Sequence, residues 1–236
     1  MRYLICYITH NFNEIFLSSI KRLDKSLCNQ SIIDCIILFD KSKEYEKKIK
    51  NELNNIKIIE IDIIDISYDN TVKGGHTMYI NYFITNIDKI EVYDYIWIVE
   101  NDVYHKEIEI FIRKYDDHEY DLLVPEYGLR SNEWHWFTTL EGFKREDIGI
   151  LGVIMRWSKR LLKEIIKNID KEYKGFFEVL LPHVCINRGY NISEYYIEDI
   201  GIITIDNNNE LIKLIRLDIL NRTENYIENK LYHPIK

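Results

Sequence analysis

Glu100 and Asp102 stand two residues apart with Asn101 between them. Two carboxylates held that close repel each other unless a cation or a proton lies between them. Carboxylate oxygens are hard donors suited to magnesium, calcium or manganese, and an ion held by two of them keeps positions open for the oxygens of a diphosphate. The residues just before the pair show where it would be held. Tyr95 to Val99 reads YIWIV, an unbroken run of β-branched and aromatic residues of the kind buried on both faces of a sheet. The run stops without a turn residue, so the two acids emerge at the carboxyl end of a buried strand, where open α/β sheets bind ligands. A solvated strand end opening a loop would carry the same tripeptide, so the rest of the chain has to discriminate.

The strand and its acids resemble the DxD-type motif of the GT-A glycosyltransferases, written here Glu100-Asn101-Asp102. Glu replaces the first Asp, and its extra methylene makes Asp102 the better direct ligand. The resemblance implies an α/β fold: a GT-A-like, Rossmann-type mixed sheet, mostly parallel, flanked by helices in a single domain over residues 1–236. Residues 1–105 would form the nucleotide-sugar-binding half. Residues 106–236 would form the acceptor-binding half, ending in a metal-ligating tail. On the nucleotide side the resemblance nominates Thr9, His10 and Asp40 for base and ribose, with Asn101 beside the metal and Asn81 turned towards the nucleotide from a helix. It offers His233, in the terminal LYHPIK, as a late metal ligand beside Glu100 and Asp102, and Lys236 as a partner for a diphosphate oxygen. Manganese is favoured over magnesium because an imidazole would join oxygen ligands.

The elements that must position these groups follow from periodicity and punctuation. Arg2 to Thr9 reads as a first strand, and Asn13 can cap a helix whose Ile15, Phe16, Ile20, Leu23 and Leu27 share one face. Asp34 to Asp40 is a second strand. Its terminal Asp also suits the start of a turn before a helix over Lys43 to Asn54. Lys57 to Ile66 is a third strand, and Gly74-Gly75 opens a helix over His76 to Asn86 that fits neither a dinucleotide nor a P-loop pattern. After the central strand comes a helix over Lys106 to Tyr115, with His105 as a reserve metal ligand, and then a strand over Tyr120 to Pro125.

Three later stretches carry the acceptor side. The polar segment after Pro125 gathers Trp134, His135, Trp136 and Phe137. It has the length of a lid or binding loop, and its aromatic faces could stack on a sugar or pack beneath the sheet edge. Ile148 to Trp157 reads as one buried strand in which Gly149 and Gly152 permit close backbone approach, and Ser158 caps the helix behind it. That strand with Arg156 is similar to the segment under the acceptor site of GT-A enzymes, although Arg156 could equally pair with an acid. Glu178 opens a helix running to Gly189. An acid there suits the helix dipole, and the resemblance makes it the base that takes a proton from the attacking hydroxyl if configuration inverts.

The totals bound the function. The chain has 236 residues, 46% hydrophobic and 30% charged, which are globular proportions for one α/β domain. A net charge of -8 argues against wide contact with nucleic acid. Cys6, Cys28, Cys35 and Cys185 show no CxxC spacing and read as small core residues in a reducing compartment. No apolar stretch is long enough to span a bilayer, so the expected setting is intracellular, in the cytoplasm.

The reading is a metal-dependent glycosyltransferase moving a sugar from a nucleotide sugar, a UDP-sugar, to a hydroxyl on a carbohydrate or glycoconjugate acceptor. Two rivals remain at this stage. A sugar-nucleotide nucleotidyltransferase would carry a Gly-rich basic loop near the N-terminus, which Thr9 to Asn13 lacks. A non-catalytic carbohydrate-binding protein would keep the fold without using the metal.

Overall fold

The computed structural model describes residues 1–41, 43, 48–61, 74–130, 134–144, 146–168, 175–203 and 230–233. Of the stretches and residues singled out above, Lys236, residues 44–47 of the helix read over Lys43 to Asn54 and residues 62–66 of the third strand lie outside this set. In chain order the elements are β1 (Tyr3–Thr9), α1 (Glu14–Leu27), β2 (Ile33–Asp40), α2 (Lys48–Glu52), β3 (Ile56–Ile61), α3 (Gly74–Thr85), α4 (Ile87–Ile90), β4 (Tyr95–Glu100) and α5 (Ile108–Lys114). They continue with β5 (Leu122–Val124), β6 (Tyr127–Leu129), β7 (Ile148–Ile150), β8 (Ile154–Ser158), α6 (Lys159–Asn168), α7 (Phe177–Arg188), β9 (Ile192–Glu194), β10 (Ile200–Ile203) and β11 (Leu231–His233).

Seven strands form one sheet in the order β3-β2-β1-β4-β8-β5-β9. β1 runs parallel to β2 and β4, β2 to β3, and β5 to β9, whereas β8 is antiparallel to both of its neighbours. Six strands therefore point one way around a single reversed one. This is the α/β class expected from the sequence, a mostly parallel mixed sheet flanked by helices.

Strand pleating explains the two cores. On β1, Tyr3, Ile5 and Tyr7 face α1 and α5 together with Trp97 and Val99 of β4. Leu4 and Cys6 face the other way with Ile96 and Ile98, against α3, α6 and α7. β4 lies between β1 and β8 and is covered on both faces, so all five residues from Tyr95 to Val99 are buried. That satisfies the demand read from their uninterrupted apolar run.

Helix ends follow their caps. The Asn13 side chain accepts the Phe16 N–H at 2.8 Å, as expected for α1, and the Ser158 hydroxyl accepts the Leu161 N–H at 3.2 Å at the start of α6. Gly189 ends α7 in the left-handed conformation, φ 71°.

Three expectations need correction. The apolar run Ile148 to Trp157 is two strands, not one: β7 pairs with β6 in a hairpin, the chain breaks at Leu151–Val153, and β8 then enters the main sheet. The aromatic segment after Pro125 is not an open loop. It holds β6 and a 3-10 helix over His135–Thr139. Cys6, Cys35 and Cys185 are buried as expected, but Cys28 is exposed just beyond α1, where the helix face no longer meets the sheet.

At the amino end of the parallel strands, Asp121 ties three elements together. Its carboxylate accepts the Ser158 hydroxyl at 2.7 Å, the Asn191 N–H at 3.0 Å and a two-pronged contact from Arg160. Burial pushes this carboxyl up, but the bonds from Arg160, Ser158 and Asn191 outweigh it and hold it below the ordinary range. A depressed folded-state value means stability that is present above the unfolded carboxyl value near pH 4 and is lost as pH falls through the folded value. Asp121→Asn is expected to lower urea-unfolding stability at pH 7 by about 1–3 kcal/mol. It should also flatten the loss of stability below about pH 4, which denaturation at stepped pH measures directly.

Candidate functional site

The carboxyl edge of the sheet collects the ends of β1, β2 and β4. The Thr9 hydroxyl is buried within its own turn, accepting the Asn11 N–H at 3.0 Å and donating to the Asn11 carbonyl. It therefore shapes the loop that presents exposed His10, whose Nε2 lies 3.4 Å from the Asn11 amide nitrogen. The Asn101 side chain donates to Asn11 Oδ1 at 3.2 Å, tying the loop after β4 to the loop after β1. Asp40 is buried at the end of β2, where its carbonyl accepts the Lys43 N–H at 3.0 Å in the turn anticipated for it. On α3, the side-chain nitrogen of Asn81 is buried and makes no hydrogen bond among the described residues.

Glu100, Asn101 and Asp102 are each half-buried in a tight turn closed by the Val103 N–H on the Glu100 carbonyl at 3.2 Å. The Glu100 N–H donates to the Val153 carbonyl at 3.0 Å. One residue earlier, the Gly152 N–H donates to Glu178 Oε1 at 2.9 Å. The break between β7 and β8 thus bridges the acidic turn of β4 and the first turn of α7, and Glu178 is buried there with 9% exposure. The buried phenol of Tyr79, packed on Phe177 and Trp157, is pushed well up by burial and then by the charges of Glu100, Cys6 and Glu178. Both carboxylates therefore act on one ring.

Two features surround the Glu178 carboxyl group. The N-terminus of α7 places a positive dipole end beside it, and the Gly152 N–H meets one of its oxygens. Pro182 lies four residues on inside the helix. Lacking an N–H, Pro182 cannot donate to the carbonyl four residues before it.

The aromatic segment docks against the same helix start. Trp136 stacks on Phe176 with ring centroids 4.0 Å apart, and the Thr139 hydroxyl accepts the Phe176 N–H at 2.9 Å. Trp136 is therefore two residues from Glu178 by contact. Trp134 is used differently: it lies against Gly149, where a Cβ would come within 2.2 Å of its ring, and it packs edge-on to Phe137 beneath the Arg130 guanidinium. His183, fully buried on α7, accepts the Glu146 N–H at Nε2, 2.9 Å, with Nδ1 2.7 Å from the Val179 carbonyl. A proton on Nδ1 satisfies both contacts, so this histidine clasps the segment before β7 to α7 as a neutral ring.

Arg156 is not placed to meet an acceptor. It is fully buried in mid-strand and donates to the carbonyls of Tyr115, His118 and Tyr120 at 2.7, 2.6 and 3.1 Å, with its guanidinium 4.1 Å from the Tyr95 ring centroid. Its work is to satisfy the carbonyls that follow α5. His105 is likewise engaged locally, accepting the Glu107 N–H at Nδ1, 3.0 Å.

The backbone of His233 ends β11, opposite Ile203 of β10. Among the described residues, no three His, Cys, Asp or Glu side chains are gathered as a metal-binding group. Glu100 and Asp102 supply hard oxygen donors at a half-buried turn. That donor set suits magnesium or manganese and needs further ligands from a diphosphate or water.

Of the groups nominated from sequence, the structure brings together Thr9, His10 and Asn101 around Asn11, and Glu100 and Glu178 around Leu151–Val153, with Trp136 alongside. Tyr79 and His183 were not nominated. Neither carries a local signal, because each matters through contacts made by distant segments. Gly152 gave the one usable hint, a glycine inside an apolar run.

No family model and no curated protein sequence matches the chain. Glycosyltransferases are among the solved structures it resembles. Mouse xyloside xylosyltransferase 1, in its apo form, is 14% identical, with 98% of this chain and 96% of that one covered at a TM-score of 0.48. A mannosyltransferase from Pyrobaculum calidifontis, in complex with GDP-Man and Mn2+, is 7% identical over 83% of this chain and 55% of that one, TM-score 0.47. A 4-diphosphocytidyl-2C-methyl-D-erythritol synthase is 8% identical over 90% and 98%, also at 0.47. The chain spans 58% of S. aureus TarS 1–349, which it also resembles. No helix among the described residues is long and apolar enough to cross a membrane.

Arg156→Met keeps the bulk and removes donors from three carbonyls. It is expected to cost about 2–4 kcal/mol in urea unfolding, at roughly 1–3 kcal/mol for each buried acceptor left unpaired and partial relaxation. Nucleotide affinity of the folded variant should match the wild type, and a selective loss of ligand affinity at unchanged stability would return Arg156 to the site.

Proposed function

We propose that this chain is a metal-dependent glycosyltransferase that moves a sugar from a UDP-sugar to a hydroxyl of a carbohydrate or glycoconjugate acceptor within a single domain. The observation that carries the reading is the bridge at the carboxyl edge. The acidic turn Glu100-Asn101-Asp102 and the buried Glu178 are hydrogen-bonded to adjacent residues, Val153 and Gly152. The turn that carries the proposed metal ligands is thus joined through its backbone to the segment that meets Glu178, the proposed base, and this supports the reading.

Asp102 and Glu100 hold the ion, with His233 as third protein ligand, and Lys236 meets a diphosphate oxygen. When bound, a manganese or magnesium ion would neutralise charge on the departing diphosphate. Asn101 keeps the acidic turn in register with the loop after β1, where His10 meets the nucleotide and Thr9 fixes the loop's shape. Asp40 and Asn81 flank that side. Glu178 removes the proton of the attacking hydroxyl in an inverting transfer, and Trp136 offers a face for the acceptor ring with Trp134 behind it. The protein works in the cytoplasm, with no nucleic acid partner.

Asp102→Asn replaces a charged ligand with a neutral amide. Manganese affinity, followed by the paramagnetic resonance of the free ion, should fall about ten-fold or more, since even residues that only support a ligand cost that much. An unchanged affinity would take Asp102 out of the metal site. Glu178→Gln should lower kcat for donor turnover by about 10²–10⁴-fold, the contribution of a positioned base, with donor KM unchanged. A variant with full kcat would remove the base and with it this account of transfer.

A further inference from the structure

We propose that Gly152 is the positioning residue for Glu178, and that Leu151–Val153 sets the distance between the base and the acidic turn. This inference rests on the transferase reading above. The tripeptide is anchored on three sides by its backbone: the Leu151 N–H donates to the Glu126 carbonyl at 2.9 Å, the Val153 carbonyl accepts the Glu100 N–H at 3.0 Å, and the Gly152 N–H donates to Glu178 Oε1 at 2.9 Å. The ends of β5 and β4 therefore fix where the Gly152 amide lies before Glu178 meets it. The amide in turn fixes one carboxylate oxygen and the rotation of the group about its own axis. Metal turn and base are referred to neighbouring peptide units of one short segment, so a shift in either strand end moves both.

This contact leaves little room for a side chain at 152. A Cβ there would stand 3.2 Å from Glu178 Cγ, 3.5 Å from Oε1 and 3.6 Å from the Met155 sulfur. The backbone at Gly152 is not in the left-handed region that favours glycine, so what an added methyl group disturbs is the seat of Glu178. A displacement of a few tenths of an ångström is small for folding and large for a group that must meet a hydroxyl at hydrogen-bond distance.

Two measurements test this. In amide-proton NMR of the Glu178→Gln variant, the Gly152 resonance should move upfield from its wild-type position, because a neutral amide oxygen is a weaker acceptor than a carboxylate. In manganese-dependent hydrolysis of a UDP-hexose, Gly152→Ala should lower kcat about ten-fold with donor KM unchanged. Adding the same change to Glu178→Gln should cause no further loss. Gly128→Ala, at a glycine with nothing within 4 Å of an added methyl group, should leave the rate unchanged. An unmoved Gly152 resonance in Glu178→Gln would overturn the proposal, as would an equal loss from Gly152→Ala in both backgrounds. A wild-type protein without turnover would sink the transferase reading, and the resonance would still decide the contact.

Discussion

β4 is buried on both faces and carries no charged side chain from Tyr95 to Val99, and the site at its end follows from that burial. With β1 on one side, β8 on the other and a helical layer against each face, Tyr95 to Val99 has no route to solvent. On this strand the first carboxylate comes where full burial ends, at half-buried Glu100. The same sheet delivers the ends of β1 and β2 to that edge, because β2 runs parallel to β1, and β1 to β4 in register from Tyr3 opposite Tyr95 to Ile8 opposite Glu100. The loop contact between Asn11 and Asn101 is a consequence of that register and not an independent device.

The reversed strand β8 gives the edge its second character. Because it is antiparallel to β4, the chain enters the sheet at the carboxyl edge, and the residues just before entry lie beside Glu100. Those residues are Leu151–Val153, which meet the first turn of α7. An all-parallel sheet would have placed a strand exit there, with its own outgoing loop. Instead, an incoming peptide supplies an N–H to Glu178 and a carbonyl to Glu100. At the opposite end of the strands Asp121 accepts from Ser158, Arg160 and Asn191, and Arg156, from mid-strand, donates to the carbonyls of Tyr115, His118 and Tyr120.

What could be read from the sequence divides along local and distant causes. The β4 run, the Asn13 and Ser158 caps and the Gly189 helix end are each decided within a few residues, and each is found where expected. The break at Leu151–Val153 was not legible, because ILGV is apolar throughout and periodicity cannot distinguish one buried strand from two joined by a buried turn. Arg156 misled for a related reason. A basic residue inside an apolar strand signals an anionic partner or a set of buried carbonyls with equal force, and the carbonyls of Tyr115, His118 and Tyr120 come from 36 to 41 residues away. Glu178 was legible as a residue type at a helix start, yet its partner Gly152 lies 26 residues earlier. His183 and Tyr79 belong with it: their roles exist only once α3, α7 and the segment before β7 are folded together.

The central claim is that the acidic turn of β4 binds a nucleotide diphosphate through a divalent cation. Calorimetric titration of UDP into the wild-type protein, once with manganese and once with a chelator, tests it most directly. The account predicts saturable heat with manganese and none with the chelator. Equal binding in both conditions, or no binding in either, would contradict it.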